Sequence, residues 1–371
     1  MAAGLWLIPL LVISVMVAHN PEKRTVTPLY HEASANWWAG RDLYVGPSGM
    51  NYLPHFAVLF APFQKLPVPG GDILWRVSAA AVLAFGLWRL ARLQFGENAP
   101  RAFLWASLLA LPLTLPALRN GQANAMFAGL TLCAAAAVAQ ARWWRATGWM
   151  LLALAVKPLG IVLVLLAPVV YAPLRWRAAL GLIALAAFPF FFARPDYVIA
   201  QHRGIVINLQ SCAAVTEHRF ADINGVVRTF GGELPARASK LIRVLAGGIT
   251  LALWWLGARR LTEPRRALWL LALATAYLML FNPMNETNSY VIIAPAFGLW
   301  AVAALELESS RRAGWFIVFA AVSMGCLPNL VRPVFGNNFA LLWHPVMTAA
   351  FVGLLLALVW RQKLPAAPAS A

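Results

Sequence analysis

The sequence predicts an all-α protein, a polytopic integral membrane bundle of about eleven or twelve transmembrane helices. Three observations carry this reading. Hydrophobic residues make up 61% of the 371 and charged residues only 12%, against roughly 45–50% and 25% in soluble domains. Apolar runs close to spanning length recur along the whole chain, and the arginines stand mostly at the ends of those runs. At about 20 residues per crossing, eleven or twelve crossings use roughly 220–240 residues, too many to leave a separate soluble catalytic domain. Residues 1–371 therefore read as one membrane-embedded domain whose chemistry uses loops and helix walls. The formal charge of +17 reads as a topology signal and not as a nucleic-acid surface. Cys133, Cys212 and Cys326 form no CxxC pair, so neither a zinc site nor a disulfide framework is expected.

The apolar runs fall near 5–18, 73–92, 102–118, 123–140, 148–156, 159–173, 178–193, 241–258, 267–281, 290–305, 314–327 and 341–360. Basic residues mark alternate connections: Arg89, Arg92 and Arg101; Arg142 and Arg145; Arg175 and Arg177; Arg259, Arg260, Arg265 and Arg266; Arg311 and Arg312; Arg361 and Lys363. These read as cytoplasmic ends. Loops 141–147 and 174–177 share that side, so 148–173 must go out and return. Lys157-Pro158 marks the tip, because proline cannot continue the helical hydrogen-bond ladder. The count becomes twelve, with both termini inside. The first run opposes the charge rule, since Lys23 and Arg24 follow it and nothing basic precedes it; the internal loops outvote it. A cleaved signal peptide is the rival for 1–18, but it lacks a positive n-region and a clear cleavage site. The long polar segments 19–72 and 194–240 then lie together on the extracytoplasmic face, with 119–122, 282–289 and 328–340.

Chemistry is expected on that face. In the first segment, Leu29 to Ala39 has helical composition with aromatics at Tyr30, Trp37 and Trp38, which predicts a helix at the membrane surface. Glu32 and Asn36 share one helix face by their i,i+4 spacing, with His31 and Asp42 nearby. A carboxylate beside aromatic surface is suited to general-base work; a solvated Glu32 beside an interfacial tryptophan anchor fits the same residues. Arg119-Asn120-Gly121-Gln122-Ala123-Asn124 joins two runs, and a helix starting near Gln122 would offer free N–H groups to an anion. An ordinary capped turn is the alternative. Lys157 is a charge at membrane depth, where a lysine costs about 2.5–3.5 kcal/mol on insertion scales and usually faces a cavity or partner. Snorkelling is its alternative. The second outer segment holds Asn208-Leu209-Gln210-Ser211 and Arg228, and 282–288 supplies Asn282, Asn285, Glu286 and Asn288, amides and an acid suited to a sugar or to turn chemistry. His19, His31, His55, His202, His218 and His344 are scattered and no HExxH motif occurs, so no metal is expected. Phosphate loops of the Walker or Rossmann kind are absent, and no other cofactor is implied.

In order along most of the chain, these residues resemble glycosyltransferase family 87, polyprenol-phosphate-mannose-dependent mannosyltransferases of the C-type superfamily. The pieces are Gly40-Arg41-Asp42-Leu43-Tyr44 after an Ala-rich helix, Tyr52-Leu53-Pro54, Gly121-Gln122-Ala123-Asn124, Lys157-Pro158, Asn208 to Ser211 with Arg228, and Asn282-Pro283. The resemblance implies a C-type fold in a bacterial inner membrane and an enzyme acting on its outer face. Such an enzyme moves a hexose, mannose in this family, from polyprenyl phosphate to a glycolipid or glycan hydroxyl with inversion. The family places its base as an Asp near what is here Val26 or Thr27. Glu32 is the nearest substitute and Asp42 the second.

The expected mechanism has Glu32 take the acceptor proton while Lys157, Arg119, Gln122 and Arg228 hold the departing phosphate. Asn36, Tyr52, Asn124, Asn208, Gln210 and Asn288 would position sugar or loops. The rival class is a transporter or flippase of a lipid-linked saccharide or other anion. Two features weaken it: the acids lie in loops or at run ends, and the halves do not repeat, whereas many transporters are built from paired repeats.

Overall fold

The computed structural model describes residues 2–44, 50–213, 220–306 and 308–361. Of the residues named above, His218 and Lys363 lie outside these, as does the side chain of Cys212. Sixteen α-helices run through the described residues: α1 (Ala2–His19), α2 (Thr27–Trp38), α3 (Pro54–Gln64), α4 (Val68–Phe95), α5 (Ala99–Asn120), α6 (Asn124–Ala139), α7 (Trp143–Val156), α8 (Ile161–Val170), α9 (Leu174–Ala187), α10 (Pro195–Ala213), α11 (Ile223–Thr229), α12 (Ala236–Ala258), α13 (Arg265–Phe281), α14 (Ala294–Leu305), α15 (Arg311–Phe335) and α16 (Asn338–Trp360). No strand occurs among them.

Each of the twelve apolar runs is helical, and α2, α3, α10 and α11 lie in the two long polar segments. Length and composition suit five stretches for crossing a membrane: 68–120, which holds α4 and α5, then 174–191, 236–258, 308–335 and 338–360. Shorter apolar helices include α1, α6, α8 and α14. Boundaries shift where prolines and polar residues are absorbed. Helix α15 continues through Pro328 and Pro333 to Phe335, past the expected end at 327. The run at 290–305 begins as a 3₁₀ turn, Thr287–Ile292, before α14.

The expected hairpin at 148–173 is present. Helix α7 stops at Val156, Lys157 is extended, and Pro158–Gly160 forms a 3₁₀ turn into α8. The Trp143 and Tyr171 rings, at opposite ends of the segment, lie 5.8 Å apart. That distance requires α7 and α8 to run back along each other. Helix α6 lies at the centre and is buried nearly all round, including its run Ala134 to Ala137. Small side chains let backbones approach: a Cβ on Gly129 would stand 2.5 Å from Leu83 N, and one on Gly86 2.6 Å from Gly129 O.

The basic connections gather at one end of the bundle. Arg89 donates to Gln140 at 2.6 Å, and Gln94 bonds both Pro264 O at 2.7 Å and Arg265 at 3.0 Å. Arg265 lies 3.6 Å from Glu306, Tyr171 donates to Glu263 at 2.6 Å, and the Arg260 guanidinium lies 5.4 Å from the Trp360 ring centroid. Spans of alternating direction place every second connection at the same end, and arginine marks that end. The opposite end of α4, with the connections 20–26, 121–123, 157–160 and 282–286, holds the site.

Candidate functional site

Two polar clusters stand at that end. The first fixes the opening segment. Asp72 is fully buried in the first turns of α4 and accepts from Thr27 Oγ1 at 2.5 Å and His31 Nε2 at 2.8 Å. Arg76, one turn on, lies 3.5 Å from the same carboxylate. Its guanidinium donates to Leu118 O at 3.0 Å, Thr25 Oγ1 at 2.8 Å and Arg119 O at 3.3 Å. A buried charge pair persists only when its remaining groups are also bonded, and here they are. Gly121, at φ +72°, closes α5 against this cluster. A Cβ there would meet Thr27 Cγ2 at 2.7 Å and Arg76 Nη2 at 2.8 Å, so backbone and neighbours both require glycine.

The second cluster surrounds Lys157. Its ammonium donates to Asn124 Oδ1 and stands 5.9 Å from the Tyr52 ring centroid. Asn124 Nδ2 donates to Gln122 Oε1 at 2.7 Å, and Gln122 Nε2 donates to Glu286 Oε2 at 2.7 Å. The ends fix the direction of both amides: ammonium only donates and carboxylate only accepts. Each amide therefore turns its oxygen toward the lysine and its nitrogen toward the glutamate. Asn124 Nδ2 also lies 3.4 Å from Ser289 Oγ and 3.5 Å from Asn288 O. Tyr52 shares a 2.8 Å hydrogen bond with Tyr30, whose hydroxyl accepts from Ala123 N at 3.2 Å. Burial pushes the Tyr52 phenol up to about 12, so it stays neutral under the cation near neutral pH.

Local structure presents Glu286. Asn285 is buried and donates to Leu278 O at 2.6 Å and Met279 O at 2.9 Å, capping α13. Its own carbonyl accepts from Ala221 N at 2.6 Å, and Tyr290 donates to Ala221 O at 2.7 Å. The residue between Asn285 and the 3₁₀ turn at Thr287 is thus held from both sides, with its carboxylate half-buried.

The structure brings Lys157, Gln122, Asn124, Tyr52 and the Asn288 backbone into one cluster. Glu32 lies elsewhere: α2 buries Thr27, Tyr30, Ala33, Ser34 and Trp37, and Glu32 occupies the exposed opposite face. Among the described residues it forms no hydrogen bond or ion pair with the Lys157 cluster. Asp42 is exposed and accepts from its neighbour Tyr44 N at 2.9 Å. Asn36 is half-buried, its carbonyl accepting from Arg41 N. Asn208 ties α10 to the first segment through Met50 O at 3.1 Å and Asn51 Oδ1 at 2.7 Å. Gln210 is exposed on the same helix. Arg228 lies in α11 beside Asp222 and Arg243. Arg119 is half-buried at the end of α5. The helix expected near Gln122 starts at Asn124 instead, because the Gln122 and Ala123 N–H groups already donate to Ala117 O and Tyr30.

Sequence reasoning missed Asp72 and Arg76. Their i,i+4 spacing near the start of α4 is the available signal, but the apolar run at 73–92 leaves Asp72 just outside it. Among the described residues no three His, Cys, Asp or Glu side chains gather as metal ligands.

No curated protein matches the chain. Among solved structures, it is similar to ArnT from Cupriavidus metallidurans in the apo state, at 15% identity over 98% of this chain and 78% of that one, with a TM-score of 0.47. For ArnT of that organism bound to undecaprenyl phosphate the values are 16%, 97%, 78% and 0.40. The model of glycosyltransferase family 87 matches residues 51–283, a stretch that takes in Tyr52, Gln122, Asn124 and Lys157. That match covers more than half of the sequence, and the chain belongs to glycosyltransferase family 87.

Proposed function

We propose that this glycosyltransferase moves a hexose, mannose by family resemblance, from a polyprenyl-phosphate donor to a glycolipid or glycan hydroxyl, with inversion, on the outer face of the plasma membrane. One observation carries the reading: the Lys157 ammonium is held at a helix break by Asn124, the first residue of α6. An anion arriving there meets a cation and a helix N-terminus together, since the first-turn N–H groups carry partial positive charge. The leaving polyprenyl phosphate gains one negative charge as the sugar departs, and a preorganised cation stabilises that gain more than it stabilises the ground state. Arg119, half-buried at the end of α5, adds a second positive group near the Gly121 turn. Apolar helix surface around α7 and α8 suits a polyprenyl chain.

The test uses purified protein in detergent, polyprenyl-phosphate mannose as donor and an extract of host membranes as acceptor source. Release of polyprenyl phosphate is expected from the native protein. Lys157→Met is expected to lower it at least about 100-fold, the range for removing one preorganised electrostatic group. Translocation of lipid-linked sugar in vesicles without product in detergent would replace the reading with a carrier.

A further inference from the structure

Inverting transfer needs a group that removes the acceptor proton, placed near the donor phosphate site but not bonded to the phosphate. The carboxylates at the site end of the bundle can be compared on that requirement. Asp72 is completely buried and spends both oxygens on Thr27, His31 and Arg76, so it cannot meet a substrate. His31, its partner, lies over Phe60 with centroids 5.2 Å apart. Phe60 is separated from the Tyr52 ring beneath Lys157 by Phe56, which stacks on Tyr52 at 4.6 Å and on Phe60 at 5.8 Å, so His31 belongs to the Asp72 cluster and not to that of Lys157. Glu32 faces away from Tyr30 and the core, and Asp42 bonds its own loop.

Glu286 differs from all of these. It is joined to Lys157 through the side chains of Gln122 and Asn124, and it has no direct ion pair with the lysine among the described residues. Its Oε2 accepts from Gln122, while its Oε1 takes no hydrogen bond from any described residue. The carboxylate is half-buried, so the free oxygen is reachable. The two intervening amides hold cation and anion at fixed places, joined by hydrogen bonds and not by direct contact.

We propose that Glu286 is the catalytic base of this enzyme, paired across the site with Lys157. The assignment rests on the donor reading above. As the acceptor hydroxyl oxygen bonds to the anomeric carbon, Glu286 Oε1 takes its proton. The bond from that carbon to the phosphate oxygen breaks, and its electron pair stays with the phosphate. The donor, a phosphodiester monoanion, leaves as a monoester dianion beside the Lys157 ammonium, and Glu286 ends protonated. Charge is conserved across the site, and no further reactant is needed.

Glu286→Gln keeps an acceptor oxygen for Gln122 and removes the base. Its expected signature is polyprenyl phosphate binding within about threefold of the native protein, with release from polyprenyl-phosphate mannose lowered at least about 100-fold. Glu286→Ala with added formate supplies a second readout: a small carboxylate filling the space left by the truncated side chain is expected to restore part of the release, which a structural role would not allow. Size-exclusion profile and melting temperature report folding for both variants. Release by Glu286→Gln within tenfold of native overturns the assignment, as does binding that falls in step with turnover. A loss on Glu32→Gln with none on Glu286→Gln also overturns it and returns the role to the first segment. Native protein inert toward every polyprenyl-phosphate sugar would remove the donor reading itself, and Glu286 with it. Active native protein with active Glu286→Gln removes Glu286 alone.

Discussion

The Lys157 ammonium stands 5.9 Å from the centre of the Tyr52 ring, and the Tyr52 hydroxyl is bonded to Tyr30 at 2.8 Å. The cation of the site thus rests on an aromatic layer that continues through Phe56, Phe60 and Trp75. A cation over a ring contributes about 0.5–2 kcal/mol depending on desolvation. Tyr52→Leu is therefore expected to weaken polyprenyl phosphate binding by roughly twofold to 30-fold, and Tyr52→Phe to weaken it less. Titration of polyprenyl phosphate against the two variants checks the order.

Asp72 and Arg76 anchor the opening segment to α4, and removing one partner of a buried pair typically costs about 3–5 kcal/mol. Asp72→Ala is expected to fall in that range and Asp72→Asn below it, because the amide still accepts from Thr27. Denaturation in detergent measures the difference. Equal losses for the two variants would show that packing, and not charge, sets the cost.

Gly121→Ala is expected to destabilise the protein by about 1–3 kcal/mol, the range for a strained left-handed position. It also displaces Gln122 and so separates Asn124 from Glu286. Activity should fall further than melting temperature alone accounts for, and parallel measurement of the two decides it.

Asp222 caps α11 by accepting from Gly225 N at 2.8 Å, while Ala221 beside it holds both Asn285 and Tyr290. Burial raises the Asp222 carboxyl pKa, against the Gly225 hydrogen bond and the nearby Arg243 and Arg228. Asp222→Ala is expected to cost about 0.5–2 kcal/mol and to loosen the segment carrying Glu286. Hydrogen exchange over 282–290 reads the second effect.

His55 in α3 is buried, with Nε2 2.7 Å from Leu185 O. Burial lowers its pKa, opposed by that carbonyl and aided by His202. A histidine neutral in the folded state and titrating near 6.5 when unfolded leaves stability intact above that pH and erodes it below. Melting temperature is expected to drop between pH 7 and pH 5, and His55→Phe to flatten part of the drop. A slope unchanged in the variant would assign the effect to other groups.

The twelve apolar runs, the arginine-marked end and the break at Lys157-Pro158 were legible in the sequence because each rests on local physics. A run of hydrocarbon must leave water, a charge resists entering lipid, and proline ends a helical ladder wherever it occurs. The face of α2 was legible too, since Tyr30, Ala33 and Trp37 recur at helical spacing and put Glu32 on the reverse side. Tertiary structure alone decided which carboxylate is linked to Lys157. Glu286 reaches it through Gln122 and Asn124, from segments more than 120 residues away in sequence. Such meetings are fixed by how α5, α6, α7 and α13 pack, and helix packing depends on the shapes of whole surfaces, which no local pattern in the chain encodes.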